Sequence, residues 1–190
     1  EFDLAINLAA QAGVRVTKSK EYLYENSNVK GFESFCNFCV KNKIKKIIYA
    51  SSSSVYSDEG NNSFKEDYTD LSPKSVYGKS KLKNEQFASI ISKREDLSII
   101  GLRFFSVYGP YGRPDMAYYL FANSLLKSDP IILNNRGKMH RDMTYIDDIV
   151  DGILLSIEYM FNSELTQYHE IFNLGNNKPI QTIDLLNIIS

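Results

Sequence analysis

Tyr77 and Lys81 stand four residues apart in the stretch Tyr-Gly-Lys-Ser-Lys. On a helix that spacing stacks the two side chains on one face. A phenol is a poor base at neutral pH, and lowering its pKa from about 10 to ~7 takes on the order of 4 kcal/mol of preferential stabilisation of the phenolate. One ammonium about 4 Å away supplies roughly that at an effective dielectric of 20. The pair is therefore capable of general acid/base work. Spacing alone identifies little: with 13 tyrosines in the chain, about one such pair is expected by chance. A solvated helix surface is the plain alternative.

A second feature bears on the pair. The run Ile-Lys-Lys-Ile-Ile-Tyr-Ala, residues 44–50, leads directly into Ser51-Ser52-Ser53-Ser54-Val55-Tyr56. A hydroxyl at the carboxyl end of a strand can donate to a substrate oxygen and help pass its proton to Tyr77. The competing reading is a serine-rich turn that satisfies its own backbone.

The elements that must hold these groups alternate along the chain. Residues 3–8 predict a strand, 19–42 a helix with Leu23, Phe32, Phe35, Phe38 and Cys39 at helical spacing, and 44–50 a strand. A polar loop containing Gly60-Asn61-Asn62 follows. Ser75 is placed to cap a helix running to about Ser92. Further strands are predicted at 97–105, 130–133 and 170–174, and helices at 115–127 and 147–161. Residues 182–190 open one more helical pattern. Alternation of this kind predicts an α/β fold with a parallel sheet covered on both faces. Ligands in such sheets sit beyond the carboxyl ends of the strands, where the serine run lies.

Bulk properties narrow the classes. The 190 residues carry a formal net charge of −1, which offers no electrostatic footprint for nucleic acid or an anionic membrane. No apolar stretch approaches the roughly 20 residues of a membrane span. Two cysteines, Cys36 and Cys39, are too few for a secreted disulfide framework and point to a reducing, cytoplasmic setting. Their CxxC spacing lacks the further ligands that zinc needs, so no metal site is expected and both read as small buried hydrophobes. The lysines at 41, 43, 45 and 46 read as a solvated helix end and strand start.

Ala50-Ser-Ser-Ser-Ser-Val-Tyr56 followed by Tyr77-x-x-x-Lys81 resembles the active-site pair of the extended short-chain dehydrogenase/reductases, the NAD-dependent epimerase/dehydratase family. The resemblance implies that Tyr77 is the catalytic acid/base. It implies that Lys81 holds the nicotinamide ribose and lowers the tyrosine pKa, and that Ser52 takes the Ser/Thr place of a catalytic triad. Other segments agree in order from about residue 3 to 177. Asn7 to Arg15 resembles the family's fourth strand and the turn beside the cofactor, so Leu8, Ala9, Ala10 and Gln11 are implied to line NAD. Asn28-Val-Lys-Gly31 resembles the Asn-x-x-Gly of the next helix. Asn28, Ala50, Tyr77 and Phe104 are implied cofactor neighbours as well. Leu102 to Pro110 resembles the strand and turn that pass the nicotinamide and open the sugar site. Gly137 to Asp148 resembles the segment whose arginine, here Arg141, contacts the substrate diphosphate.

Within the family the nearest resemblance is to the UDP-glucuronate 4-epimerases, carried by Gly109-Pro-Tyr-Gly-Arg-Pro-Asp-Met-Ala117. It implies that Ser106 and Arg113 lie near the sugar carboxylate, a task suited to a guanidinium fork. The alternative is a structural turn in which Arg113 pairs with Asp115. Related dehydratases carry Asp-Glu at the positions of Ser53 and Ser54, and decarboxylases of UDP-glucuronate carry glutamate at the latter. Neutral hydroxyls there fit hydride removal and return, and Ser53 joins Ser52 as an implied substrate contact. The expected reaction is C4 epimerisation of UDP-glucuronate through a 4-keto intermediate. The alternatives are a 4-epimerase for an uncharged sugar such as UDP-N-acetylglucosamine, and an inactive fragment or nucleotide-binding pseudoenzyme.

The resemblance also has gaps. The family's Gly-x-x-Gly-x-x-Gly fingerprint does not occur, Asn7 stands where histidine is usual, and Ser57 where glycine is usual. The chain is therefore expected to be a fragment lacking its beginning and its end, inactive alone and weak in NAD binding, because the fingerprint amides cradle the pyrophosphate. Residues 1–108 are expected to form a partial NAD-binding Rossmann domain. Residues 109–190 are expected to be mainly the substrate region, with segments returning to the first domain. Homodimerisation, and a place in polysaccharide synthesis, are implied by the resemblance alone.

Overall fold

A computed structural model describes residues 2–14, 16–56, 64–69, 71–164 and 166–190. In chain order its elements are β1 (Leu4–Asn7), α1 (Glu21–Tyr24), α2 (Gly31–Lys41), β2 (Lys46–Ser52), α3 (Val76–Arg94), β3 (Ser98–Phe104) and β4 (Ser106–Tyr108). Then follow α4 (Ala117–Lys127), β5 (His140–Tyr145), α5 (Ile146–Asn162), β6 (His169–Leu174), β7 (Pro179–Gln181) and α6 (Thr182–Ile189). Two units result: Glu1–Phe104 with Ile153–Asn173, and Phe105–Gly152 with Leu174–Ser190.

The first unit is built on a sheet in the order β1-β2-β3-β6. β1 and β2 pair in parallel, as do β2 and β3. Ile47, Ile48, Ile99 and Ile100 are fully buried. Adjacent residues of a strand point to opposite faces, so burial of both members of each pair means that both faces are covered. That is why β2 and β3 read as continuous apolar runs rather than as alternating ones. On one face Phe32, Cys36 and Cys39 of α2 and Ala88 and Ile91 of α3 pack with Ile47, Tyr49 and Ile99. Both cysteines are core residues, as expected. Burial pushes the Cys36 thiol up to about 12 and the Cys39 thiol to about 11, far from the thiolate that redox or metal chemistry needs. The α/β, Rossmann-like reading of the sequence holds.

Two expectations about elements change. The helical path from Lys18 to Lys41 is interrupted by a π-helical stretch at Glu25–Lys30. A π turn inserts an extra residue, and the residues turned inward there are Asn28 and Val29, 1% and 8% exposed. The strand predicted at 130–133 does not form. Pro130 has no N–H to give a ladder, Ile132 is 84% exposed, and left-handed backbone at Asn135 and Arg136 follows at once. Ile131 and Leu133 are half-buried, and without a paired strand among the described residues an extended backbone there gains no ladder.

The second unit holds a three-stranded sheet, β4-β5-β7, with β4 parallel and β7 antiparallel to β5. These three short strands were not anticipated individually. Helices α4 and α6 pack together beside it. Gly137 sits at φ +74°, where a Cβ would approach Ile183 of α6 to within 2.8 Å, so a side chain there is excluded twice over. The loop residues Gly60-Asn61-Asn62, together with Arg15 and Ser57, lie outside the described residues.

Candidate active site

β2 ends at Ser52, and residues Ser53–Val55 turn the chain in a single 3-10 turn. The Ser52 side chain caps that turn by accepting from the Ser54 N–H at 3.1 Å, a role that leaves the hydroxyl able to donate as well. The neighbouring Ser51 points the other way and donates to Glu85 Oε1 at 2.6 Å. Alternation along the strand thus assigns the two serines different tasks.

Helix α3 begins where the sequence indicated. Ser75 is its N-cap, accepting from the Gly78 N–H at 2.9 Å. Gly78 lets the first turn of the helix lie against the serine turn: a Cβ there would collide with the Ser54 carbonyl and come within 2.9 Å of Pro73. Tyr77 is therefore delivered to the turn that carries Ser52 by the absence of one methyl group beside it. The Tyr77 ring is met edge-on by Tyr24 at 6.4 Å.

Lys81, one turn later, is 3% exposed. Its Nζ donates to the Ala50 carbonyl at 2.7 Å and lies 5.9 Å from the Tyr77 ring centroid. Burial lowers its pKa to about 8, so the group stays predominantly protonated at neutral pH. An ammonium held in low-dielectric surroundings beside a phenol favours the phenolate.

The segment after β1 is pinned from two sides. Asn28 accepts from the Gln11 N–H at 2.7 Å and donates both to the Gln11 carbonyl at 3.0 Å and to Ser80 Oγ at 2.8 Å. Tyr24 donates toward the Ala12 and Gly13 carbonyls. Asn7 accepts from the Ala9 N–H at 3.0 Å, so the departure from histidine still shapes this loop. Leu8, Ala9 and Ala10 are exposed in the same segment. Asn7, Ala9, Ala50, Lys81 and Asn84 border a narrow gap at the carboxyl ends of β1 and β2, and Phe104 lies in register beside Ser52.

The remaining residues singled out in the sequence belong to the second unit. Ser106 opens β4 in register with Met143. Arg141 is exposed on β5 and donates to the His140 carbonyl at 3.0 Å. Arg113 forms a fork on Asp115, at 3.0 and 2.5 Å, which holds the Asp115 carboxyl below its ordinary range. This is the structural-turn pairing named above as the alternative for Arg113.

Sequence reading missed Glu85 and Arg103. Arg103 Nε and Nη2 engage Glu85 at 2.9 and 2.8 Å, and Nη1 donates to Tyr56 Oη at 2.7 Å. Both charged residues are almost wholly buried. The signal was present: an arginine inside Ile-Ile-Gly-Leu-Arg-Phe-Phe cannot be buried unpaired, and Glu85 falls on the helix face of Tyr77 and Lys81.

A family model described as "NAD dependent epimerase/dehydratase family" matches residues 1–175. The chain belongs to that family. Among epimerase/dehydratase relatives, UDP-glucuronate 4-epimerase 4 of Arabidopsis thaliana is 40% identical over 200 residues, spanning 99% of this chain and 46% of its own. The structure of UDP-glucuronic acid 4-epimerase from Bacillus cereus, in complex with UDP-glucuronic acid and NAD, superposes with a TM-score of 0.89. Its identity is 31%, over 98% of this chain and 58% of that one. UDP-N-acetylglucosamine 4-epimerase from Methanobrevibacter ruminantium M1, in complex with UDP-N-acetylmuramic acid, gives 0.85 at 27% identity, over 98% and 59%. The chain spans about half the length of the curated relatives it matches.

Proposed function

We propose that the protein containing this chain is an NAD-dependent UDP-sugar 4-epimerase that interconverts UDP-glucuronate and UDP-galacturonate. The observation that carries the reading is the buried ammonium of Lys81 beside the Tyr77 ring, on a helix seated against the Ser52 turn by Gly78.

The residues present fit the cofactor. Asn84 is 3% exposed and, among the described residues, its Oδ1 has no hydrogen-bond partner, while it borders the same gap as Lys81 and Ala9. Such an atom suits a hydroxyl-bearing ligand such as a ribose. Lys81, Asn84, Ala50 and the segment Leu8 to Gln11 would hold NAD. When bound, NAD supplies a hydride acceptor and then a hydride donor at the sugar C4.

The chain's own groups do the rest. Tyr77 as phenolate takes the C4 hydroxyl proton, Ser52 donates to the same oxygen, and Lys81 keeps the phenolate favoured between turnovers. The planar ketone left at C4 turns over before Tyr77 returns the proton, and the configuration inverts. Ser53 and Ser54 offer neutral hydroxyls in place of the acid and base that elimination needs. The family resemblance assigns Ser106, Arg113 and Arg141 to the substrate, Arg113 to the sugar carboxylate and Arg141 to the diphosphate. The relatives named as UDP-glucuronate 4-epimerases support this choice of sugar.

One observation favours a second substrate. The Arg113 fork is already engaged by Asp115, as it would be if the sugar carried no carboxylate, and UDP-N-acetylglucosamine fits that arrangement. Cytoplasmic location and homodimerisation complete the proposal; no described helix is long and apolar enough to cross a membrane. Incubating the full-length protein with NAD and UDP-glucuronate, with products followed by proton NMR, should yield UDP-galacturonate. Conversion of UDP-N-acetylglucosamine instead overturns the choice of sugar, and conversion of neither overturns the activity.

A further inference from the structure

Ser52 sits inside a short segment whose two flanks are held by one ion pair. Before it, Ser51 donates to Glu85 Oε1 at 2.6 Å. After it, Tyr56 Oη accepts from Arg103 Nη1 at 2.7 Å, and the guanidinium lies 4.7 Å over the Tyr56 ring. Glu85 and Arg103 are joined to each other by two parallel bonds, at 2.9 and 2.8 Å. Glu85 stands four residues beyond Lys81 and eight beyond Tyr77 on α3, so its anchor is the same rigid rod that carries the acid/base pair. Arg103 stands on β3, in register with Ser51. Tyr56 Oη also donates to Asn173 Oδ1 at 2.8 Å, and Asn173 ties Phe64 and Glu66 to β6.

We propose that the Glu85–Arg103 pair is a positioning device for the reaction, clamping the serine turn at both ends and so fixing Ser52 relative to Tyr77. The inference rests on the function proposed above. The physical ground is the nature of buried ion pairs. Desolvation of the two charges offsets much of their attraction, so they add little to stability compared with apolar residues of the same size. A guanidinium–carboxylate fork does fix distance and plane, and distance is what a proton-transfer site depends on. Glu85 Oε1 is shared between Ser51 and Arg103, so a shift of the helix is passed directly to the strand end.

The test uses the full-length protein and three variants: Glu85→Gln, Ser52→Ala and the two combined. Glu85→Gln keeps the shape and removes the charge. It should lower kcat roughly 10- to 100-fold, the scale of a misplacement near 1 Å, with KM for the UDP-sugar little changed. Placed on top of Ser52→Ala it should cause no further loss, because the residue it acts through is already gone. Equal losses in both backgrounds overturn the proposal. Hydrogen exchange supplies a readout independent of turnover. The Ser54 and Tyr56 amides, which close the serine turn, should exchange faster in Glu85→Gln while those of α2 do not. Unchanged turn amides also overturn it. A wild-type protein inert toward UDP-sugars counts against the proposed function and leaves the exchange arm standing. If Glu85→Gln fails to fold, Ser51→Ala carries both arms, with smaller changes in the same direction.

Discussion

Lys81 Nζ donates to the main-chain oxygen of Ala50 across 2.7 Å, tying the second turn of α3 to the strand that ends at Ser52 two residues later. The bond uses one of the three ammonium donors and leaves the charge beside Tyr77. One contact therefore does two things: it sets helix against strand, and it holds a cation in a place where water cannot screen it.

Tyr77→Phe removes only the hydroxyl. The ring keeps its place against Tyr24, so the fold should be unaffected. Epimerase activity of the full-length protein should fall by about 100- to 10,000-fold, the range for loss of a general acid/base. Steady-state rates with UDP-glucuronate check this, and a variant retaining most of its activity removes Tyr77 from the mechanism.

Burial of Lys81 predicts a pH effect on stability. Its pKa falls from 10.5 to about 8 on folding, so between those values the unfolded chain binds more protons and stability rises with pH. Below about pH 8 both states carry the charge and the cost of burying it is fully present, on the order of 3 kcal/mol. Lys81→Met should therefore stabilise the ligand-free protein by about 1–2 kcal/mol at pH 7, the loss of the bond to Ala50 offsetting the remainder. The advantage should vanish at about pH 9 to 9.5 and reverse by about pH 10.5, where the burial cost is nearly gone and the lost bond remains. Urea unfolding at the two pH values reads it directly.

Gly78→Ala adds one methyl group against the Ser54 carbonyl and Pro73. Overpacking of this kind costs about 1–3 kcal/mol, even though alanine is the better helix former. The midpoint of urea unfolding should drop accordingly, and activity should fall further than stability alone explains, since the displaced turn carries Ser52.

Arg113→Ala separates the two sugars. If the guanidinium leaves Asp115 for a substrate carboxylate, kcat/KM for UDP-glucuronate should fall by at least about tenfold, as expected for losing hydrogen bonds worth about 1.5–3 kcal/mol each. Turnover of UDP-N-acetylglucosamine should be unaffected. Equal effects on both sugars would leave Arg113 a residue of the turn.

Much was legible in the residues alone. The alternation of apolar runs placed the strands and helices of the first unit to within a few residues, because β2 and β3 are buried on both faces and α3 has a clear capping serine. Tyr77, Lys81 and the serine run declared a possible acid/base site through their spacing. The strand predicted at 130–133 failed because apolar residues do not make a strand unless a neighbouring edge accepts their backbone. The short strands β4, β5 and β7 escaped notice because Ser-Val-Tyr, His-Arg-Asp-Met-Thr-Tyr and Pro-Ile-Gln hold few apolar residues to mark a buried face.

The sequence by itself determined the α/β class and the family, and singled out Tyr77 and Lys81 as the candidate acid/base pair, since these depend on residue type and on spacing within one element. Only the tertiary structure decided which serine faces which partner, how deeply Lys81 is buried, and that Glu85 and Arg103 grip the turn from α3 and β3. Those facts depend on distances between segments far apart in the chain, which packing sets and local pattern does not encode.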